Sequence, residues 1–379
     1  MNEKESKTTA VMNNQTCNDI AAVTKTHNLT TEQSQALHSM LQQINHTQVS
    51  LWTTEHETSS FLCHRFLRAR CFNVEKALLM LHNDLIWREE YGIKKLQQQT
   101  LSDFATADFN PEELLVRLPI LLEGTDNLCR PVIYKAFGAA CEISTLLTMT
   151  DQETLIRYHI WCNEQSILEL NRLSTVHSRN IETWQIVIDA MGWHLGLANS
   201  SSMSFLKSIA KIDSDHYPER LGRLTVVNAP WTLSGVWRVI RLWLDERQKR
   251  KIEIMSWQSS WEPYLKGEKW VAGQESDGEK VVVYERGGIP TENLIRRFGG
   301  SNEKDFGLMN GGGGGGGEED NKKVQVEEAE TKVQVEEAET KVEEEVVMHV
   351  KVDQVKKIKM IVHIEDVKCD DDGCKTLSV

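Results

Sequence analysis

Three observations predict an α/β protein in which a helical N-terminal lobe precedes a mainly parallel sheet covered by helices. Before about residue 115, apolar side chains recur at helical spacing. Beyond Val116, short β-rich runs alternate with long amphipathic helical patterns, the order that builds strand–helix–strand units. One of those runs, Ile186-Val187-Ile188, is apolar throughout, as a strand covered on both faces must be.

Residues 1–28, rich in Asn, Thr, Ser and Lys without periodicity, read as a disordered lead. The helical lobe is expected over 29–115. Its first helix starts near Thr31 and spaces Leu37, Met40, Leu41 and Ile44 along one side. A second runs through Phe61, Leu62, Phe66 and Leu67. Asn73 should cap a third, with Glu75 in its first turn, Leu81 and Leu85 on the apolar side and Gly92 as its stop.

Over 116–300, strands are expected at Pro131–Phe137, Trp184–Asp189, Leu224–Asn228 and Lys251–Met255, and helices at Asp151–Asn171, Asn199–Ile212 and Trp231–Asp245. Pro218 holds its predecessor extended and so ends one helix, and Pro230 opens the next. Residues 301–317 end in seven consecutive glycines, a flexible linker. In the tail, 318–379, Lys323–Thr331 repeats as Lys332–Thr340. A nine-residue repeat keeps no constant face as strand or helix, so disorder is expected. An amphipathic element at Val346–Ile364 is a candidate for binding a protein partner.

The net charge is −13, and the tail carries −8 of it (18 acidic against 10 basic residues from Glu318), leaving −5 elsewhere. Between Pro218 and Lys251 the balance reverses, with eight Arg or Lys against three acids. A basic, Trp-bearing stretch in an acidic chain suits an anionic membrane surface better than nucleic acid. No apolar run reaches the roughly 18 residues needed to span a bilayer, and the first ten residues lack the apolar core of a signal peptide. A cytoplasmic protein, monomeric and peripheral on membranes, is expected. The eight cysteines are scattered without a CxxC pair or a His at ligand spacing, which favours free thiols over disulfides or a metal.

Catalytic signatures are missing. There is no GxSxG, GxxxxGK[ST], GxGxxG or HExxH, and the glycine tract follows no strand and precedes no Lys-Ser/Thr. Lone histidines such as His159, His194 and His216 read as structural or exposed, and no cofactor is expected. The expected helix Trp231–Asp245 puts Leu233, Val236, Trp237, Ile240 and Leu244 on one broad side, with Arg241 and Trp243 at its border. Such a helix either covers a core or lies over a cavity with its Trp and Arg groups at a lipid interface; composition leaves both readings open.

A series of short motifs follows in order: Arg65-Phe-Leu-Arg-Ala-Arg70, Gly124-Thr-Asp126, Arg130-Pro-Val132, Trp161-x-x-Glu164, Asp189-x-x-Gly192, Tyr217-Pro-Glu-Arg-Leu-Gly222, Asn228-Ala-Pro230, Leu244-Asp245, Lys251-Ile252 and Ile289-Pro-Thr-Glu-Asn-Leu with Phe298-Gly-Gly300. Over 29–300 the chain resembles the CRAL-TRIO lipid-binding family, especially the phosphatidylinositol/phosphatidylcholine transfer proteins of the secretory pathway. The resemblance implies a sheet-floored apolar cavity gated by the helix at Trp231–Asp245, and exchange of phosphatidylinositol between membranes (Golgi or endosomal) or its presentation to lipid kinases, without catalysis. A two-chain lipid has about 30 methylenes at ~0.8 kcal/mol each, so exchange would expose on the order of 20 kcal/mol of apolar surface unless the carrier supplies a cavity.

By the same resemblance, Arg70, Glu219 and Lys251 would hold an inositol phosphate. Cys71 stands where the family has Lys, and Gln248 where it has Thr. Two family hydroxyls near a choline headgroup fall on His194 and Gly196. Cys129 replaces a turn glycine, so that turn is not expected to reach positive φ easily. These departures keep open a non-phospholipid ligand (sterol, tocopherol or retinoid) or a lipid-regulated adaptor acting through its tail. The segment between Met255 and Ile289 is longer than in the family and brings in Trp257, Trp261 and Trp270, which either anchor in a membrane or pack over the sheet edge, packing being the expectation.

Overall fold

The computed structural model describes residues 18–138, 141–256, 258–259, 262–266, 288–298 and 301–304, all within the unit Met1–Asn310. Trp257, Trp261, Trp270 and the expected tail from 318 onward lie outside the described residues.

One helix lies inside the stretch that composition marks as a disordered lead. Helix α1 covers residues 18–27, inside the expected lead. Val23 is buried and Ile20 packs on the same cluster. Ile20 and Val23 are one helical step apart, a signal masked by the polar residues around them. Helix α2 (Thr31–Gln43) opens with a capping box in which Gln33 N donates to Thr30 Oγ1 at 3.3 Å and Thr30 N to Gln33 Oε1 at 3.0 Å. Helices α3 (His46–Ser50), α4 (Ser59–Ala69), α5 (Val74–Glu90), α6 (Ile93–Gln97) and α7 (Glu112–Arg117) complete the lobe. Asn73 caps α5, accepting from Lys76 N at 2.9 Å, and Gly92 follows its end at φ +70°, both as expected.

The sheet runs in the order β1 (Ile120–Thr125), β2 (Pro131–Ala136), β3 (Trp184–Asp189), β4 (Leu221–Ala229), β5 (Ile252–Ser256). Only the β1–β2 pair is antiparallel; the other three are parallel. The β1–β2 turn is held by Asp126, whose carboxylate accepts from Leu128 N and Arg130 N at 2.9 Å and from Arg130 Nε at 2.6 Å. This cage corrects the expectation for Cys129, which adopts φ +61° without being glycine. Gly124 has no such latitude: at φ +71°, an added Cβ would sit 2.8 Å from Asn293 O.

The crossovers use α8 (Ile143–Met149), α9 (Gln152–Val176), α10 (Ser200–His216), α11 (Leu233–Ile240) and α12 (Glu246–Arg250), with the short α13 (Glu262–Leu265) after β5. Helices α9 and α10 are capped at Asp151 and Asn199 as expected, and each runs a turn beyond its expected end. Alternation divides the sheet. Val132, Tyr134, Val187 and Val227 pack on Leu265, Ile289, Leu294, Ile295 and Phe298, whereas Ile186, Ile188, Leu224 and Val226 turn to the other face and line a cavity.

Three polar joints tie the lobe to the rest, two of them buried ion pairs. Glu57 Oε1 accepts from Arg65 Nε, and its Oε2 from Arg220 Nη2, both at 2.7 Å. Burial alone would push the Glu57 carboxyl up; the two guanidiniums outweigh it and hold the group at about 2. Glu164 takes both oxygens to Arg88 Nη2 at 2.9 Å and also accepts from Tyr217 Oη and Gln97 Nε2 at 2.7 Å. Asp84 meets His216 Nδ1 at 3.0 Å, under a Trp87 ring stacked 3.8 Å from the imidazole.

Candidate lipid-binding site

The cavity of about 290 Å³ lies between the sheet face and α10 and α11, near the lower end of the roughly 300–1,000 Å³ range of ligand pockets. Its floor is aliphatic because the inward positions of β3, β4 and β5 are Ile186, Ile188, Leu221, Leu224, Ile252 and Ile254. Its cover is the segment from Trp231. All of α11 lacks a buried residue, since Leu233, Val236, Trp237 and Ile240 face the cavity rather than a filled core.

The cover is not the single helix expected over Trp231–Asp245. Helix α11 ends at Ile240, a 3₁₀ turn covers Arg241–Trp243, and Leu244 is extended at φ −102° and ψ 143°. Asp245 is the N-cap of α12, with Gln248 N donating to Asp245 Oδ1 at 2.7 Å and Asp245 N to Gln248 Oε1 at 3.2 Å. The capping-box spacing Asp245-Glu-Arg-Gln248 carries that break in the sequence. Leu244 lines the cavity with the α11 residues, but Trp231 precedes the helix, does not line the cavity and is 49% exposed. Leu242, at the other end of the cover, is 68% exposed.

Arg70, Glu219, Gln248 and Lys251, remote in sequence, all line this one cavity. They converge because Arg70 ends α4 while Glu219 and Lys251 precede β4 and β5, which pair in parallel. Glu219 is buried at φ +59°, a left-handed backbone that costs a non-glycine residue about 1–2 kcal/mol. Its Oε2 accepts from Arg68 Nη2 at 2.9 Å and Lys251 Nζ at 3.0 Å, and Arg247 Nη1 lies 3.6 Å from Oε1. Burial favours the neutral acid, yet Lys251, Arg68 and Arg247 hold its pKa below the usual range. For Lys251, burial lowers the pKa against the pull of Glu219.

Arg68 and Arg247 are additions to the expected site. Arg68 sits one helical step from Arg65 and therefore on the same side of α4. Arg247 also donates to Cys71 Sγ at 3.1 Å. Arg70 differs from its neighbours: Nη1 donates to Ala69 O at 3.1 Å, and no carboxylate pairs with it among the described residues. His194 and Gly196 do not line the cavity.

A second polar group lies in the wall. Asp213 Oδ1 meets His159 Nε2 and accepts from Asn163 Nδ2, both at 2.8 Å. The Asp213 side chain is 42% exposed, its surface turned to the cavity it lines. Lys135 of β2 also lines the cavity and is 8% exposed, and among the described residues its ammonium has no hydrogen bond or ion pair. Burial lowers its pKa, opposed by Asp213. In register Lys135 aligns with Ile188, whereas Leu221, just after Glu219, aligns with Trp184. Four residues at ~3.3 Å put the two polar ends about 13 Å apart along the strands.

A sheet-floored apolar cavity under an amphipathic cover, with charged groups at both ends, is the kind of site that fits an amphipathic ligand such as a lipid. Comparison with known proteins gives the chain a family. The CRAL/TRIO domain model matches residues 117–266 and its N-terminal domain model residues 30–83. The SEC14 cytosolic factor of Candida glabrata is 30% identical over 243 residues, 64% of this chain and 70% of that protein. The phosphatidylinositol/phosphatidylcholine transfer protein SFH4 of Arabidopsis thaliana is 31% identical over 194 residues, 50% of this chain and 30% of that protein. The crystal structure of Sfh5 aligns over 54% of this chain and 67% of its own, at 21% identity and a TM-score of 0.43. The chain belongs to the CRAL/TRIO family.

Proposed function

We propose that the protein carries a phosphatidylinositol-type phospholipid, acyl chains along the sheet and phosphate at the Arg70 end, and exchanges it at membranes without breaking a bond. The observation that carries this reading is the cavity-lining guanidinium of Arg70, which among the described residues lacks a carboxylate partner, while Arg68 and Lys251 are paired with Glu219. A planar fork with open donors suits a phosphate. Arg247, beside Cys71, supplies a cation next to the position where the family's lysine is missing. The strained backbone of Glu219 adds support, because such outliers cluster at functional sites.

Exposed Trp231 and Leu242 at the two ends of the cover, with exposed Arg238 and Arg241 between them, suit insertion into an anionic bilayer surface. The protein would then act in the cytoplasm, peripherally on membranes such as Golgi or endosomal ones, as a monomer that supplies lipid to kinases or to another membrane. Mass spectrometry of lipids co-purifying with the full chain tests the reading. Inositol phospholipid at near one per chain is expected; its absence after incubation with mixed vesicles refutes it.

A second reading rests on Lys135 and Asp213. A hydroxyl can accept from one and donate to the other, so a hydrophobe with an oxygen function, of sterol, tocopherol or retinoid type, would satisfy both. In that case Lys135→Met lowers binding of such a ligand at least tenfold and leaves phosphatidylinositol exchange unchanged; equal effects on both exclude it.

A further inference from the structure

Away from the cavity, three side chains from three segments converge on the lobe. His27 ends α1, His64 lies mid-way along α4, and Glu182 precedes β3. Each offers a ligand atom within 4.8 Å of the others. His27 Nε2 is 3.5 Å from Glu182 Oε1, and the two imidazole centroids are 4.2 Å apart.

These groups are poorly satisfied by the protein. His64 is 0% exposed, and both of its ring nitrogens lack a hydrogen-bond partner, as do His27 Nε2 and Glu182 Oε2. An orphaned buried polar atom costs about 1–3 kcal/mol, so the cluster gives up stability that a bound group would restore. Burial, with Arg68 and Arg65 nearby, drives the His64 imidazolium out to about 2, and burial also lowers His27 against the pull of Glu182.

We propose that His27, His64 and Glu182 bind one divalent transition metal, with zinc the best match, as a clip that holds α1 onto the lobe and onto the loop before β3. Two imidazoles and one carboxylate form a set that zinc uses. Ligands at ~2.0–2.2 Å from a tetrahedral zinc lie roughly 3.4 Å apart, so closing from 4.8 Å asks for about an ångström of side-chain movement. Arg68, 3.5 Å from Glu182 Oε1, opposes any cation there, which disfavours hard ions that depend on charge and leaves metals that bond well to nitrogen. The ligands are 37 and 118 residues apart in sequence, the spans from His27 to His64 and from His64 to Glu182. No spacing pattern announces such a set, and a metal joining these segments would restrict the unfolded chain strongly.

The test is equilibrium dialysis of the full chain against buffered zinc, with thermal unfolding in zinc and in chelator. One zinc per chain is expected at this site, with a melting temperature several degrees higher in zinc. His27→Gln, at a half-buried position, should keep its chelator melting temperature while losing both the zinc and the shift; Glu182→Gln should lose the shift as well. Wild-type chain that takes up no zinc overturns the proposal. So does His27→Gln that retains the full stoichiometry and shift, since the metal would then sit elsewhere, for example on the histidines and cysteines of the tail. Neither outcome bears on the lipid reading.

Discussion

Arg65 and Arg70 lie five residues apart in one motif, yet the structure gives them different surroundings, whose consequences substitution to Gln would separate. Arg65 is buried, donates to Glu57 at 2.7 Å and to Pro218 O at 3.0 Å. Arg65→Gln leaves Glu57 with Arg220 alone and orphans a carbonyl. Breaking a buried pair in this way costs about 3–5 kcal/mol. Arg70 gives up one bond to its neighbour's carbonyl, worth about 0.5–1.5 kcal/mol. On the proposed reading, Arg70→Gln removes a charge-assisted contact to a phosphate, about 1.5–3 kcal/mol, or roughly 10- to 150-fold in affinity. Guanidinium unfolding read beside phosphatidylinositol transfer between vesicles separates the two. If Arg70→Gln lowers the unfolding midpoint as far as Arg65→Gln, Arg70 is structural. If it leaves transfer within twofold of wild type, the phosphate is not held there.

Glu57 gives a pH signature. Its folded pKa of about 2 lies below the ordinary 4.5, so its contribution is complete above pH 4.5 and is lost as the pH falls towards 2. At ~1.36 kcal/mol per unit, about 3 kcal/mol is at stake, and the stability gap between wild type and Glu57→Gln should narrow over that window in denaturant titrations; a constant gap contradicts the pairing. Replacing both exposed groups at the ends of the cover, Trp231→Ser with Leu242→Ser, should slow transfer between anionic vesicles severalfold while the protein keeps its bound lipid, and unchanged transfer would take the membrane face elsewhere. Gly124→Ala should cost about 2 kcal/mol, from positive φ and the approach of Asn293 O, a loss visible as a lower melting temperature.

Much of this fold is readable from period and punctuation. The apolar strands around Ile186 and Val226, the Asn73 cap and the Gly92 stop are local signals, and each element stands where they put it. The lead was misread because two apolar residues, Ile20 and Val23, carry the whole buried face of α1. The cover was misread as one helix because its apolar pattern continues through Leu244, although the spacing from Asp245 to Gln248 marks a new start. The gathering of Arg70, Glu219 and Lys251 came from family motifs rather than from periodicity. Lys135 and Asp213 were missed, since a lone lysine in an apolar strand gives no sign of facing a cavity. Pairings such as Arg88 with Glu164 or Arg68 with Glu219 are beyond any local rule, because 76 and 151 residues separate the partners.

The ionic joints at Glu57, Glu164 and Asp84 restrict how the cavity can open. Each joins the helical lobe to α9, to α10 or to the entry of β4, and the Glu57 and Glu164 pairs are buried. Rocking the lobe away would strand several charges at once, at a cost comparable to the whole stability of a domain. The lobe and sheet would then act as one frame, leaving as the part free to yield the cover between Trp231 and Lys251, whose helix α11 has no buried residue. Amide exchange would find that stretch opening far below the global unfolding energy, with the frame protected as one block. Lipid entry then becomes a local rearrangement of about twenty residues, whose rate can be tuned by substitutions there without loosening the fold.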